Sequence, residues 1–218
     1  LEGLLAWRFE HPFAPLLGGL LVFHVASPLI VRSPFVSLAL TILLLMTCVP
    51  AIQPTRRVRI AAIAGLAIVT VVRAAAIGSG GGATALHGAG LLVTAAYVAF
   101  VAASVLSAVV RRTRVTANTI VGAICVYLLV AHVFGLLFLA LELASPGSIV
   151  GAGMPAEAAD DPQRLHFHQF LYFSVITLTT LGYGDMMPAS PVARSLVMLE
   201  AMCGQFFLAV FVARFVGA

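Results

Sequence analysis

Long apolar runs separated by short polar breaks organise this chain. Six of them, at about residues 13–31, 34–52, 58–77, 85–110, 117–143 and 191–216, are long enough to cross roughly 30 Å of hydrocarbon at about 1.5 Å per helical residue. None shows the ten-residue alternation of an outer-membrane barrel strand, so the pattern predicts helices. Glu10 and His11 precede the first run and no convincing small-residue cleavage site follows it, which sets it apart from a signal peptide. A further stretch, residues 165–178 (LHFHQFLYFSVITL), is apolar and aromatic but only about 14 residues long, too short to span. Pro162 and the polar DDPQR supply its start and the glycines of LGYGD its end, so it reads as a re-entrant helix.

Composition agrees with that pattern. The 218 residues are 61% hydrophobic and 9% charged, with a mean hydropathy of +1.10, outside the range of a domain whose surface faces water. The expectation is an all-α integral membrane protein in contact with lipid. All twelve basic residues are arginine, a usage that with the abundant Ala, Gly, Val and Leu points to a GC-rich bacterial genome and an inner membrane. They cluster at helix ends rather than along one face, which suits lipid headgroups and not nucleic acid. With the N-terminus inside, Arg8, Arg56, Arg57, Arg59, Arg111, Arg112, Arg114 and Arg214 lie on the cytoplasmic side, leaving Arg32, Arg73, Arg164 and Arg194 outside. Eight against four orients the chain with both termini cytoplasmic. Cys48, Cys125 and Cys203 fall within predicted spans as small packing residues, which indicates neither a disulfide framework nor a transition-metal site.

The stretch TLTTLGYGD, residues 177–185, interrupts this apolar sequence. Irregular backbone at membrane depth is tolerated only where it is buried in protein or lines a wet cavity, because an unpaired amide in lipid costs several kcal/mol. Successive carbonyls of an ordinary strand point to opposite sides. Turning a run of them to one side requires alternate residues at positive or unusual φ, which Gly182 and Gly184 supply at least cost. Inward carbonyls of Thr180, Leu181, Gly182 and Tyr183, with the Thr180 hydroxyl below, can replace the water shell of a monovalent cation if several copies surround the axis. One chain carries one such loop, so a closed ring requires a cyclic oligomer.

TTLGYGD resembles the selectivity signature of tetrameric potassium channels, and it comes with a pore-helix-like segment before it and a span on each side. The resemblance covers roughly residues 117–218. It implies a homotetramer holding K+ at Thr180, Leu181, Gly182, Tyr183 and Gly184, with no other cofactor. Leu181 stands where valine is commoner, a change that bears on packing around the filter. The resemblance further implies a strut from Tyr172 on the pore helix to Asp185 after the filter, both residues at a wet rim being the plainer alternative. Ile176 stands where some relatives place a glutamate, so a carboxylate pair with Asp185 is not expected. Gly204, 19 residues after Asp185, has the spacing of the family's hinge glycine, with a close helix contact as the equal alternative.

Glu200 and Glu142 are carboxylates in or near spans and need partners there. Glu200 is expected to face the pore helix, protonated or bonded to Thr177 or Thr179, and Glu142 to brace the outer mouth; a structural hydrogen bond serves either. His166 and His168 lie at the outer end of the pore helix beside an acidic loop. Their i, i+2 spacing puts them on different helical faces and favours interfacial anchoring over a proton or divalent-cation effect. His24 and His132 read as satisfied interior histidines.

The chain divides into a four-helix bundle, residues 1–114, and a pore domain, residues 115–218. The bundle has the span count of a voltage sensor without its arginine repeat. The fourth span carries His87 and no arginine, and Arg73, late in the third, is expected to snorkel outward. Each charge crossing the field is worth about 2.3 kcal/mol per 100 mV, so voltage gating should be weak. Only RRTRVTAN links span four to span five, with Thr116 or Asn118 as cap, so each bundle should pack beside its own pore module. GSGGGAT, residues 78–84, lacks the lysine and strand of a phosphate-binding loop. The sequence thus predicts a passive potassium channel. Its alternatives are a weakly selective cation channel, a non-conducting scaffold, and an intramembrane hydrolase using Ser79 and His87.

Overall fold

The computed structural model of the chain describes residues 13–26, 41–44, 46–47, 56–78, 84–112, 114–152, 154 and 166–217. Within them the fold is helical apart from one two-stranded pair. In chain order the elements are α1 (Ala14–Ala26), α2 (Arg56–Gly78), α3 (Thr84–Val110), α4 (Ala117–Ala144), β1 (Ile149–Val150), α5 (Phe167–Leu178), β2 (Met187–Pro188) and α6 (Pro191–Val216). Residues 41–44 and 46–47 are also helical. Four described helices, α2, α3, α4 and α6, are long and apolar enough to cross a membrane, so the chain is a multi-pass membrane protein. The first predicted span is described only as the 13-residue α1, and the second lies mostly outside the described residues, as do the Ser79 loop and the acidic residues Glu157, Asp160 and Asp161.

Local sequence accounts for the element ends. Thr116, extended at φ −124°, caps α4, its side chain accepting from the Thr119 amide at 3.3 Å; Asn118, the other candidate, is buried inside the helix. Ser190 caps α6 by accepting from the Ala193 amide, with Pro191 in the first turn, where its missing N–H costs nothing.

Helix α3 packs along α4, and α4 carries α5 on its other side. Phe138 meets Phe173 edge to face at 4.9 Å, and the Ser174 hydroxyl donates to the Ala131 carbonyl at 2.8 Å. At the far end Arg214 of α6 donates to the Val110 carbonyl at 2.8 Å and to that of Arg112, while Arg112 lies 5.5 Å over the Phe13 ring. The C-terminal ends of α3 and α6 and the arginine cluster after α3 therefore share one end of the molecule.

The opposite end is closed by the strand pair. Residues β1 and β2 run antiparallel, Ile149 opposite Pro188 and Val150 opposite Met187, and the Ser148 carbonyl accepts from the amides of Ala189 and Ser190 at 2.8 and 3.3 Å. The segment between the strands thus leaves and returns at the same end. Its 12-residue helix α5 is about 18 Å long at 1.5 Å per residue, too short to cross.

Candidate functional site: the loop from Thr179 to Asp185

Helix α5 ends where three helices meet. The Leu178 carbonyl, freed at the helix C-terminus, accepts from the Tyr127 hydroxyl of α4 at 3.1 Å. Gly204 of α6 lies against the same oxygen: a Cβ on Gly204 would sit 2.2 Å from it. That close approach is what the glycine serves in this structure. Helix α6 continues unbroken through it to Val216. Gly204 lies 13 residues, about 20 Å, along α6 from Pro191, so the loop begins level with the middle of that helix.

From that point the chain climbs back toward the strand pair. The Thr180 amide donates to the Thr177 carbonyl at 2.9 Å, and the amides of Leu181 and Gly182 donate to the Ile176 carbonyl at 2.9 and 3.2 Å. The donors of the rising strand therefore turn back onto α5. Positive φ recurs at every second residue, +57° at Thr180, +56° at Gly182 and +80° at Gly184. None of the backbone hydrogen bonds of the described residues ends on a carbonyl from Thr180 to Gly184. With the residues from Thr180 to Gly184 exposed on one chain, the loop presents main-chain oxygens and no cationic side chain.

Thr180 is the unexpected member of the alternation. A β-branched residue at φ +57° is a conformational outlier, and the Gln205 side-chain amide donates to its hydroxyl at 3.3 Å. Gln205, Ser174 and Tyr127 were not singled out in the sequence. Each is a polar side chain within an apolar helix, the signal that could have found it.

Above the loop, the Tyr172 hydroxyl donates to Asp185 Oδ2 at 2.8 Å. Glu142, 5% exposed, accepts from the amides of Gly147 at 2.7 Å and Ile149 at 2.9 Å, fixing the turn that leads into β1. The carboxylate thereby holds the strand pair, two residues from Asp185.

Glu200 is fully buried and does face α5, but its partner is Ser174, neither Thr177 nor Thr179. Position 174 lies one turn before Leu178 on α5, where its hydroxyl also meets the Ala131 carbonyl of α4, whereas the Thr179 hydroxyl donates to the Val175 carbonyl at 2.7 Å and the Thr177 carbonyl receives the Thr180 amide.

The histidines also depart from expectation. His166 precedes the helix with extended backbone, φ −116°, so helical spacing does not govern it, and its ring stacks on His168 at 5.9 Å with an 18° interplanar angle. Burial lowers both below the ordinary histidine value of 6.5, and for His168 a positive His166 adds to the effect. His24 and His132 come together edge to face at 4.8 Å. Each ring's Nδ1 bonds the carbonyl four residues earlier, Leu20 and Leu128. The stem of Arg73 packs over Gly90, and the residue lines a small pocket with Thr94 and His132.

Residues 122–218 match the family model described as "Ion channel". The chain is also similar to the inward rectifier potassium channel Kirbac3.1 of Paramagnetospirillum magnetotacticum, 38% identical over 88 residues, which cover 38% of this chain and 24% of that protein. These similarities are to ion channels, a potassium channel among them. The matched stretch spans about a quarter of the relative's length. No solved structure matches the chain.

Proposed function

We propose that the protein is a potassium-selective channel passing K+ passively through a ring of these loops contributed by four identical chains. The observation that carries the reading is the every-second-residue positive φ at Thr180, Gly182 and Gly184, with amides turned back onto α5. That alternation leaves the carbonyls to replace an ion's hydration shell. The neighbouring surface fits an assembly. Ala193, Glu200, Gly204 and Phe211 form one buried stripe on α6, while Met198, Met202, Phe206 and Val210 stay more than half exposed. A cyclic tetramer would cover part of that apolar surface and lipid the rest.

In this reading α5 is the re-entrant pore helix, α4 and α6 are the outer and inner helices, and the whole chain has six spans, with residues 1–114 as the bundle and 115–218 as the pore. Asp185 with Tyr172, Glu142, and the stacked His166 and His168 support the outer mouth. Thr177, Thr179 and Glu200 back the filter, and Gly204 is a bending point when the inner helix moves. The arginine cluster faces the cytoplasm of a bacterial inner membrane. Helix α3 has no arginine between Thr84 and Val110, which supports weak voltage dependence.

The test is flux through liposomes containing the purified chain, with potassium, rubidium and sodium compared. A weakly selective cation channel, the second reading, would pass sodium at a rate comparable with potassium.

A further inference from the structure

Gln205 is out of place on α6. Between Glu200 and Arg214 it is the only side chain of that helix carrying oxygen or nitrogen, and it is exposed on the single chain. A carboxamide turned toward hydrocarbon is costly because its groups go unpaired, so it needs a polar neighbour. That neighbour is Thr180, whose hydroxyl accepts from Gln205 Nε2 at 3.3 Å.

The register that brings the two together is set by the residue before. Gly204 packs so closely on the Leu178 carbonyl that a Cβ would fall 2.2 Å from it, and the same oxygen accepts from Tyr127 of α4 at 3.1 Å. Helix α6 is thus pinned against the end of α5 at position 204, and its next residue meets the first positive-φ member of the loop.

Thr180 is where the loop needs holding. A β-branched residue at φ +57° persists only where its surroundings over-determine it. Its amide is tied to the Thr177 carbonyl at 2.9 Å, a bond that leaves the side chain free to turn about χ1. Among the described residues Gln205 is the partner of the hydroxyl. A hydroxyl has one proton and two lone pairs; the amide donor occupies one lone pair and so limits where the other points.

We propose that Gln205 is the positioning residue for the inner end of the loop: through the Thr180 hydroxyl it holds that residue at positive φ and sets the direction of the remaining lone pair, the one available to a cation. The inference rests on the reading of the loop as a K+ pathway, in which one carboxamide accompanies each Thr180 hydroxyl around the axis. Cations of different radius call for different oxygen positions, so the contact also bears on which cation passes.

The test compares the full chain in liposomes with Gln205→Met, which keeps length and helix propensity but has no donor, and with Gln205→Glu, which keeps an oxygen to which the Thr180 hydroxyl can donate. Potassium against sodium uptake is measured, together with backbone amide exchange at Thr180 and Leu181. Gln205→Met should speed exchange at both amides about fivefold and lower the potassium-to-sodium ratio by a similar factor, the scale of one neutral hydrogen bond. Gln205→Glu should restore the slow exchange. In a Thr180→Val background, which lacks the hydroxyl but keeps the branched shape, Gln205→Met should have no further effect on exchange. Unchanged exchange in Gln205→Met, or faster exchange with an unaltered uptake ratio, would overturn the inference while leaving the channel reading in place. So would an equal effect of Gln205→Met with and without the hydroxyl. A wild type that takes up no potassium would remove the channel reading, and the exchange comparison would still decide whether Gln205 holds the loop.

Discussion

Gly204 stands against the Leu178 carbonyl with no room for a side chain, a would-be Cβ falling 2.2 Å from the oxygen. The carbonyl belongs to the last turn of α5, directly beneath the loop, so α6 and the loop's foundation move together or separate. Gly204→Ala should cost about 1–3 kcal/mol, the usual range for overpacking a well-packed contact. Thermal unfolding checks this; an unchanged midpoint with altered open probability would instead favour a pure bending role.

Glu142 accepts two main-chain amides from a buried position. Glu142→Gln keeps one acceptor oxygen and places a donor where the other stood, against an amide that also donates. The expected loss is about 1.5–3 kcal/mol, that of a hydrogen bond to a charged group. Increased hydrogen exchange at Gly147 and Ile149 would report it locally. Unaltered exchange there would show that the carboxylate does not hold the turn.

Much of this architecture is legible in the sequence because long apolar runs leave little choice. Helices α3, α4 and α6 match the predicted runs to within a residue at either end. The two glycines two apart forecast the alternating loop, since only glycine takes positive φ cheaply. Thr180 joins that alternation against its own preference, which no propensity argument foresees. Strands of two residues carry no period to detect. The partner of Glu200 depended on helix rotation, and the stacking of His166 on His168 depended on where the helix starts; neither is written in spacing alone.

The Tyr172–Asp185 bond predicts a specific consequence at the mouth. Tyr172→Phe removes the only donor on that ring, leaving the carboxylate beside the loop without this tether. Potassium flux should decline faster during sustained conduction than in the wild type, and Asp185→Asn, which leaves an acceptor oxygen, should show a milder change. Stopped-flow flux over time distinguishes them. Identical time courses for Tyr172→Phe and wild type would remove the tether from the account.

A pH dependence follows from the stacked histidines. Burial holds both below 6.5 in the folded chain, so the unfolded chain binds more protons as pH drops through that value. Stability is then complete above about pH 6.5 and declines below it. Between about pH 7.5 and 5 the wild-type unfolding midpoint should fall more steeply than that of the His166→Gln/His168→Gln variant. Parallel curves would mean the pair does not contribute.

The most direct measurement is cation flux into liposomes holding the purified chain, alongside Gly184→Ala, whose φ of +80° a side chain disfavours. The expected result is uptake of potassium and rubidium with little sodium, abolished in Gly184→Ala. Sodium uptake equal to potassium, or undiminished selective flux in the Gly184 variant, would contradict it.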